Sequence, residues 1–200
     1  MAPTRVDADA VLAFADAKAI ARWFKANHAK VPELWLKLAK AESGIASVTY
    51  KQALDEALCW GWIDGQKKGL DDRYWLQRFV PRRAKSIWST INREHTERLV
   101  AEGRMQPEGQ AQIDAAKADG RWDKAYDGAS RIEFPADLLS AIEAEPEALE
   151  TFLTLNAANR YALAFRTHHM KTPAGRQKKI ADFVAMLKRG ETIHPNGKGK

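Results

Sequence analysis

Two runs of alternating side chains constrain this chain more than any other feature. Leu34, Leu36 and Leu38 alternate with Trp35, Lys37 and Ala39, and the run from Tyr74 to Val80 places Tyr74, Leu76 and Arg78 opposite Trp75, Gln77 and Phe79. A period of two belongs to a strand with unlike faces, and a helix cannot satisfy it. Pro81 stops the second run because proline lacks the N–H that a ladder needs. Between the two, Trp62-Ile63-Asp64 reads as a short extended run, set off by Gly65, Gly69 and the pair Asp71-Asp72. These three segments predict a small, mainly antiparallel three-stranded sheet.

Helical spacing fills most of the remainder. Residues from Asp9 to His28 carry Ile20, Trp23, Phe24 and Asn27 on one face, with Asp16 placed to cap a second helix after a break. Thr49 and Gln52 match a capping box for a helix that Gly61 ends. Further helices are expected from Ser86 to Glu102, ended by Gly103, and from Pro107 to Asp119, ended by Gly120. Beyond Gly128 no alternation occurs, and short helices are expected at Pro135–Ala144, Pro146–Leu155, Ala157–Met170 and Pro173–Arg189. The expected architecture is α+β over residues 1–127, a linker at 128–134, and a helical carboxy-terminal subdomain at 135–190. The tail at 191–200, with Pro195, Gly197 and Gly199, is expected to be disordered.

Charge is distributed in blocks. Residues 1–72 are neutral, residues 73–104 carry eight basic against three acidic side chains, residues 105–165 five against eleven, and residues 166–200 nine against two. Such blocks either attract an anionic partner or face one another within the fold. No run approaches the roughly 20 apolar residues that span a bilayer, and Met1 to Asp7 has neither an apolar core nor a cleavage site. A cytoplasmic location without membrane insertion is the expectation. The single cysteine, Cys59, excludes an internal disulfide and sits between Leu58 and Trp60, as a buried thiol would.

The stretch from Cys59 to Met105 concentrates the candidate chemistry. Four of the seven tryptophans, Trp60, Trp62, Trp75 and Trp88, fall within 29 residues and are interleaved with Arg73, Arg78, Arg82, Arg83, Arg93, Arg98 and Arg104. Aromatic faces receive rings or cations, and arginine forks match carboxylate or phosphate oxygens. In Arg78-Phe79-Val80-Pro81-Arg82-Arg83 a strand ends where two arginines follow, and Ser86 then stands where it can cap the next helix. Cationic forks and helix N–H groups would converge there on an anion. The candidate ligand-binding residues are Trp62, Asp64, Arg73, Arg78, Arg82, Arg83, Ser86, Trp88, Ser89, Asn92 and Arg104. The competing reading makes the tryptophans core and the arginines solvated or salt-bridged.

Ala57-Leu58-Cys59-Trp60-Gly61-Trp62-Ile63-Asp64-Gly65, the Arg78–Arg83 run, Ser86-Ile87-Trp88-Ser89, Glu102-Gly103-Arg104-Met105 and Asp119-Gly120-Arg121-Trp122 together resemble the YdeI/OmpD-associated (bacteriocin-protection) family, over nearly the whole chain. The resemblance implies an α+β amino-terminal part, a helical carboxy-terminal part, and a link to stress or antimicrobial-peptide resistance and to an outer-membrane porin, without a defined reaction. The chain departs from the family where Lys171-Thr172-Pro173-Ala174-Gly175-Arg176 stands in place of a Lys-x-x-Glu-Thr-Arg run.

Metal chemistry finds no ligand spacing among the five histidines, and no cofactor is implied. A nucleophilic arrangement of Ser86 or Ser89 with His95 and Asp64 fails on helical phase, since six residues place Ser89 and His95 about 120° apart. Three functions remain: a non-enzymatic binder of an anionic or aromatic small molecule, a nucleic-acid or anionic-surface binder, and an enzyme using Asp64 as acid or base.

Overall fold

The computed structural model describes residues 11–128 and 131–196. The chain divides into two compact units, residues 1–126 and 127–200. Among the described residues the fold is α+β, with a four-stranded mixed sheet and eight α-helices. No helix among them is long and apolar enough to cross a membrane.

In the first unit the sheet order is β1 (Val11–Leu12), β2 (Leu34–Ala39), β4 (Tyr74–Pro81), β3 (Trp62–Gly69). The three strands read from alternation pair antiparallel as expected, Leu34 opposite Phe79 and Trp62 opposite Pro81. The fourth strand corrects the three-stranded expectation. It is only two residues long, pairs parallel to β2, and carries too few residues to show a period. It also shortens the helix read from Asp9: α1 spans Ala17–Asn27, with the Asp16 side chain capping it through Ala19 N–H, and Asp9 itself lies outside the described residues. β3 is longer than the three residues read, and an irregularity between Asp64 and Lys67 breaks its alternation.

One face of the sheet, with Leu34, Leu36, Leu38, Trp62 and Phe79, packs on α1 and on α2 (Tyr50–Cys59). Trp23, Phe24 and Trp62 meet edge to face, and Trp62 donates its indole N–H to the His28 carbonyl at 3.2 Å. The capping box on α2 is formed by Thr49 and Gln52, and Gly61, at φ +72°, turns the chain out of the helix. α3 spans Thr90–Ala101 and α4 spans Pro107–Ala118. The helix expected from Ser86 therefore begins four residues later. Ser89, not Ser86, is its cap, its hydroxyl accepting the Asn92 N–H at 3.2 Å.

The second unit is helical: α5 (Ala136–Glu143), α6 (Pro146–Thr154), α7 (Ala157–His168) and α8 (Pro173–Lys188) surround Leu138, Ile142, Phe152, Leu163, Phe183 and Leu187. The tail read as disordered is held as far as Asn196, because amide side chains receive it. His194 N–H donates to Asn159 Oδ1 at 2.9 Å, and Asn156 N–H donates to Asn196 Oδ1 at 2.8 Å. Residues 197–200, and 129–130 of the expected linker, lie outside the described residues. Phe134, at the linker's end, packs on Phe152.

Candidate functional site

The end of β4 and the start of α3 do meet, as the arginine-rich run suggests, but the geometry selects one arginine. Arg82 follows Pro81 and extends the hairpin by donating its backbone N–H to the Gly61 carbonyl at 2.9 Å. Its side chain then turns inward and is 7% exposed. The guanidinium lies 3.6 Å from the centroid of the Trp88 ring, and Nη1 donates to the Ile87 carbonyl at 3.2 Å. Nε and Nη2 are buried with no hydrogen-bond partner among the described residues. Burial pushes the Arg82 pKa down to about 10, against the opposing pull of Tyr126 and Asp64. It is therefore still a cation at neutral pH.

Around it stands a shell of aromatic and basic groups. Trp88 meets Trp122 edge to face at 4.9 Å, and Arg93 lies 5.3 Å from the Trp122 ring while donating Nη1–H to the Trp122 carbonyl at 3.0 Å. Arg121 donates to the Ser86 carbonyl at 2.8 Å, so the 83–88 loop is held by Arg82 on one side and Arg121 on the other. Tyr126 pairs with the segment as a short parallel bridge to Ser89, its N–H on the Trp88 carbonyl and its own carbonyl accepting Thr90 N–H. Burial, then the charge of Asp64, holds the Tyr126 phenol above its ordinary range.

The buried side-chain atoms without a hydrogen-bond partner among the described residues are Arg82 Nε and Nη2, Trp88 Nε1 and Arg93 Nε. All are N–H donors, and all belong to residues linked through the Trp88–Trp122 contact. A buried donor without an acceptor costs about 1–3 kcal/mol, more for a charged one. These four donors have no acceptor oxygen among the described residues.

Trp62, Arg73, Arg78, Arg83 and Arg104 separate from this cluster, whereas Asp64 stays near enough for its charge to act on Arg82 and Tyr126. Trp62 is core. Asp64 accepts the Tyr50 hydroxyl at 2.8 Å, and burial followed by that carboxylate raises the Tyr50 pKa well above the phenol range. Arg78 is taken by Glu33, at 2.5 Å, and Arg73 lies beside the Tyr74 ring at the far end of β4. Arg83 is exposed, and Ser86 accepts its N–H at 3.0 Å in place of capping a helix. Asn92 is buried on α3. Arg104 serves an ion network in which Asp55, buried on α2, accepts from Arg98 at 2.6 Å and from His95 at 3.1 Å, while Arg104 holds Glu56 at 2.6 Å. His95 thus has a carboxylate partner, Asp55 rather than Asp64.

Tyr126, Arg93, Arg121 and Trp122 were not among the candidates. Arg121-Trp122 was legible as an arginine–tryptophan pair, whereas Tyr126 joins through backbone bonds that leave no sequence signal. Cys59, 2% exposed beside this network, has its pKa pushed up from 9.0 to about 12, first by burial and then by Glu56. Its thiolate fraction at neutral pH falls about a thousandfold. A thiol reagent should label the native chain at least that much more slowly than the urea-unfolded chain, and comparable rates would show that the thiol is accessible.

Residues 12–112 match the family model described as Domain of unknown function (DUF8412). Residues 131–190 match the model described as Bacteriocin-protection, YdeI or OmpD-Associated. The family expected from the sequence is thus found over part of the chain, the helical second unit, while the stretch from Ala57 to Met105 lies within the span of the other model. No curated protein and no solved structure matches the chain. With residues 131–190 matching the bacteriocin-protection, YdeI or OmpD-associated model, the chain belongs, over the half of its length that holds Arg82, Trp88 and Arg93, to the DUF8412 family.

Proposed function

We propose that the first unit binds a small oxyanion at Arg82, without catalysis, and that this binding serves the protective role named for the family of the second unit. The observation that carries the reading is that every unpartnered buried side-chain nitrogen or oxygen among the described residues is a donor on Arg82, Trp88 or Arg93. A phosphate, sulfate or carboxylate supplies acceptors in the fork geometry arginine favours. The Trp88 ring keeps the guanidinium flat and oriented before the ligand arrives.

The basic blocks support this reading over a nucleic-acid surface, because many of their cations are paired inside their own unit. Arg78 and Arg98 hold Glu33 and Asp55, while Arg176 and Lys188 hold Asp137 and Glu145. In the second unit the acidic and basic segments thus face one another, whereas in the first unit the carboxylates come from the neutral residues 1–72.

Arg82→Met tests the proposal, since it keeps an apolar stem of similar length and removes the charge. Phosphate or sulfate at constant ionic strength should raise the melting temperature of the natural chain by several degrees, as ligand linkage requires. Arg82→Met should abolish that rise. Without added anion its stability should be unchanged or higher by about 1–3 kcal/mol, because a buried unpaired charge has been replaced by packing. An equal response in the variant, or no response of the natural chain to phosphate, sulfate or citrate, would remove the reading.

A further inference from the structure

A cavity lies at the end of β4 away from Arg82. Its volume is about 240 Å³, and its walls include Phe14, Ile45 and Ala46 as apolar surface, with Lys37, Ser47 and Tyr74 supplying polar groups. Arg82 follows the last residue of the strand that Tyr74 begins, a span of roughly 25 Å.

The walls are tied rather than loose. Val48 N–H donates to the Phe14 carbonyl at 3.0 Å, and Ala39 N–H donates to Ser47 Oγ at 3.4 Å, so the 44–48 loop is fixed to the chain before α1 and to the end of β2. Lys37 is the polar member of an otherwise apolar strand. Its ammonium lies 4.7 Å from the Tyr74 ring centroid, and the Arg73 guanidinium lies 5.9 Å from the same ring. Among the described residues neither cation has a carboxylate oxygen within 4.0 Å. Asp71, two residues before Arg73, accepts the backbone N–H groups of Arg73 and Tyr74, both at 2.8 Å, and its carboxyl is held low by those bonds and in part by the Arg73 charge. Lys37 therefore brings a cation to a cavity with an apolar wall, and Arg73, outside that wall, lies near the same Tyr74 ring.

Size and polarity narrow the ligand. An apolar cavity of about 150 Å³ holds one benzene, so this one takes a ring with one small substituent. The Lys37 cation requires that substituent to be an anion, and a ring stacked near Tyr74 and Phe14 gains aromatic contact. We propose that this cavity is a separate site for a small aryl carboxylate, its ring against Phe14, Ile45 and Ala46 and its carboxylate held by Lys37.

Calorimetric titration of the full chain with benzoate tests the proposal, with benzylamine as the isosteric cation. Benzoate should bind, benzylamine should not, and saturating phosphate should leave benzoate binding unchanged, which separates this site from the Arg82 site. Lys37→Met, which keeps the aliphatic stem, should weaken benzoate at least tenfold, and Lys37→Arg should restore part of the loss. Ala46→Leu, at an exposed loop position, should block the cavity and abolish binding without disturbing the circular dichroism spectrum. The proposal is overturned if benzoate fails to bind the natural chain below about 10 mM, if benzylamine binds as tightly, or if Ala46→Leu binds benzoate like the natural chain.

Discussion

Asp55→Ala should lower the stability of the first unit by about 2–3 kcal/mol, a fall in melting temperature of roughly 6–15 °C for a unit of this size. The carboxylate is only 8% exposed and accepts from Arg98 and His95 through Oδ1, with Arg104 3.9 Å from Oδ2. Removing one member of a buried ion pair usually costs about 3–5 kcal/mol because its partner is left uncompensated. Here the arginines are 37% and 38% exposed and recover some hydration, which places the expectation lower. Glu102→Ala is the internal comparison. Glu102 meets Arg98 and Arg104 from a position 41% exposed, where water screens the pairs, so its loss should shift the midpoint far less than that of Asp55. Equal midpoints for the two variants in urea would show that the burial of Asp55 carries no energetic weight.

Gly109→Ala should destabilise by about 3 kcal/mol or more, although alanine is the better helix former by roughly 1 kcal/mol. A Cβ on Gly109 would run into the Cys59 carbonyl and the Met105 sulfur, closer than real Cβ atoms approach. The obstacle is backbone, so α2 and α4 would have to separate, and with them the Gln106 N–H bond to the same Cys59 carbonyl. Gly44→Ala isolates the other kind of glycine constraint. Gly44 has φ +66° and open space around the missing Cβ, so it should cost only the left-handed backbone penalty of about 1–2 kcal/mol. If Gly109→Ala unfolds at the same urea concentration as Gly44→Ala, close helix packing is not what holds Gly109.

What was legible in the sequence was whatever one element dictates by itself. The β2 and β4 alternation, the Thr49–Gln52 capping box and the helix-ending glycines are set within a few residues, and each is where the pattern put it. Features that depend on a distant segment were not legible. Two residues at Val11–Leu12 become a strand only because β2 offers an open edge, and Ser86 loses its place as a cap because Ser89 is paired to Tyr126.

The candidate site divides in the same way. Arg82, Trp88 and Ser89 are drawn together by a strand end meeting a helix start, which sequence spacing expresses. Arg78 and Arg104 carried the same local promise, and only the fold supplies the Glu33 and Glu56 that neutralise them. A run of arginines announces available charge, while the arrangement of carboxylates around it decides which cation stays uncommitted. Asp55 was hidden for a related reason: within Ala53-Leu54-Asp55-Glu56-Ala57-Leu58 it reads as an ordinary polar position, and its burial is imposed by α3.

The parallel bridge between Ser89 and Tyr126 bears on how this family is delimited. The match to the family model ends at residue 112, yet Trp122 covers the edge of Trp88, Arg121 secures the Ser86 carbonyl and Tyr126 closes the strand-like pairing beyond them. A segment cut at the end of the match would expose Trp88 and release the loop that carries Arg82. The smallest piece of chain able to present the arginine in its oriented, stacked state therefore extends through Tyr126.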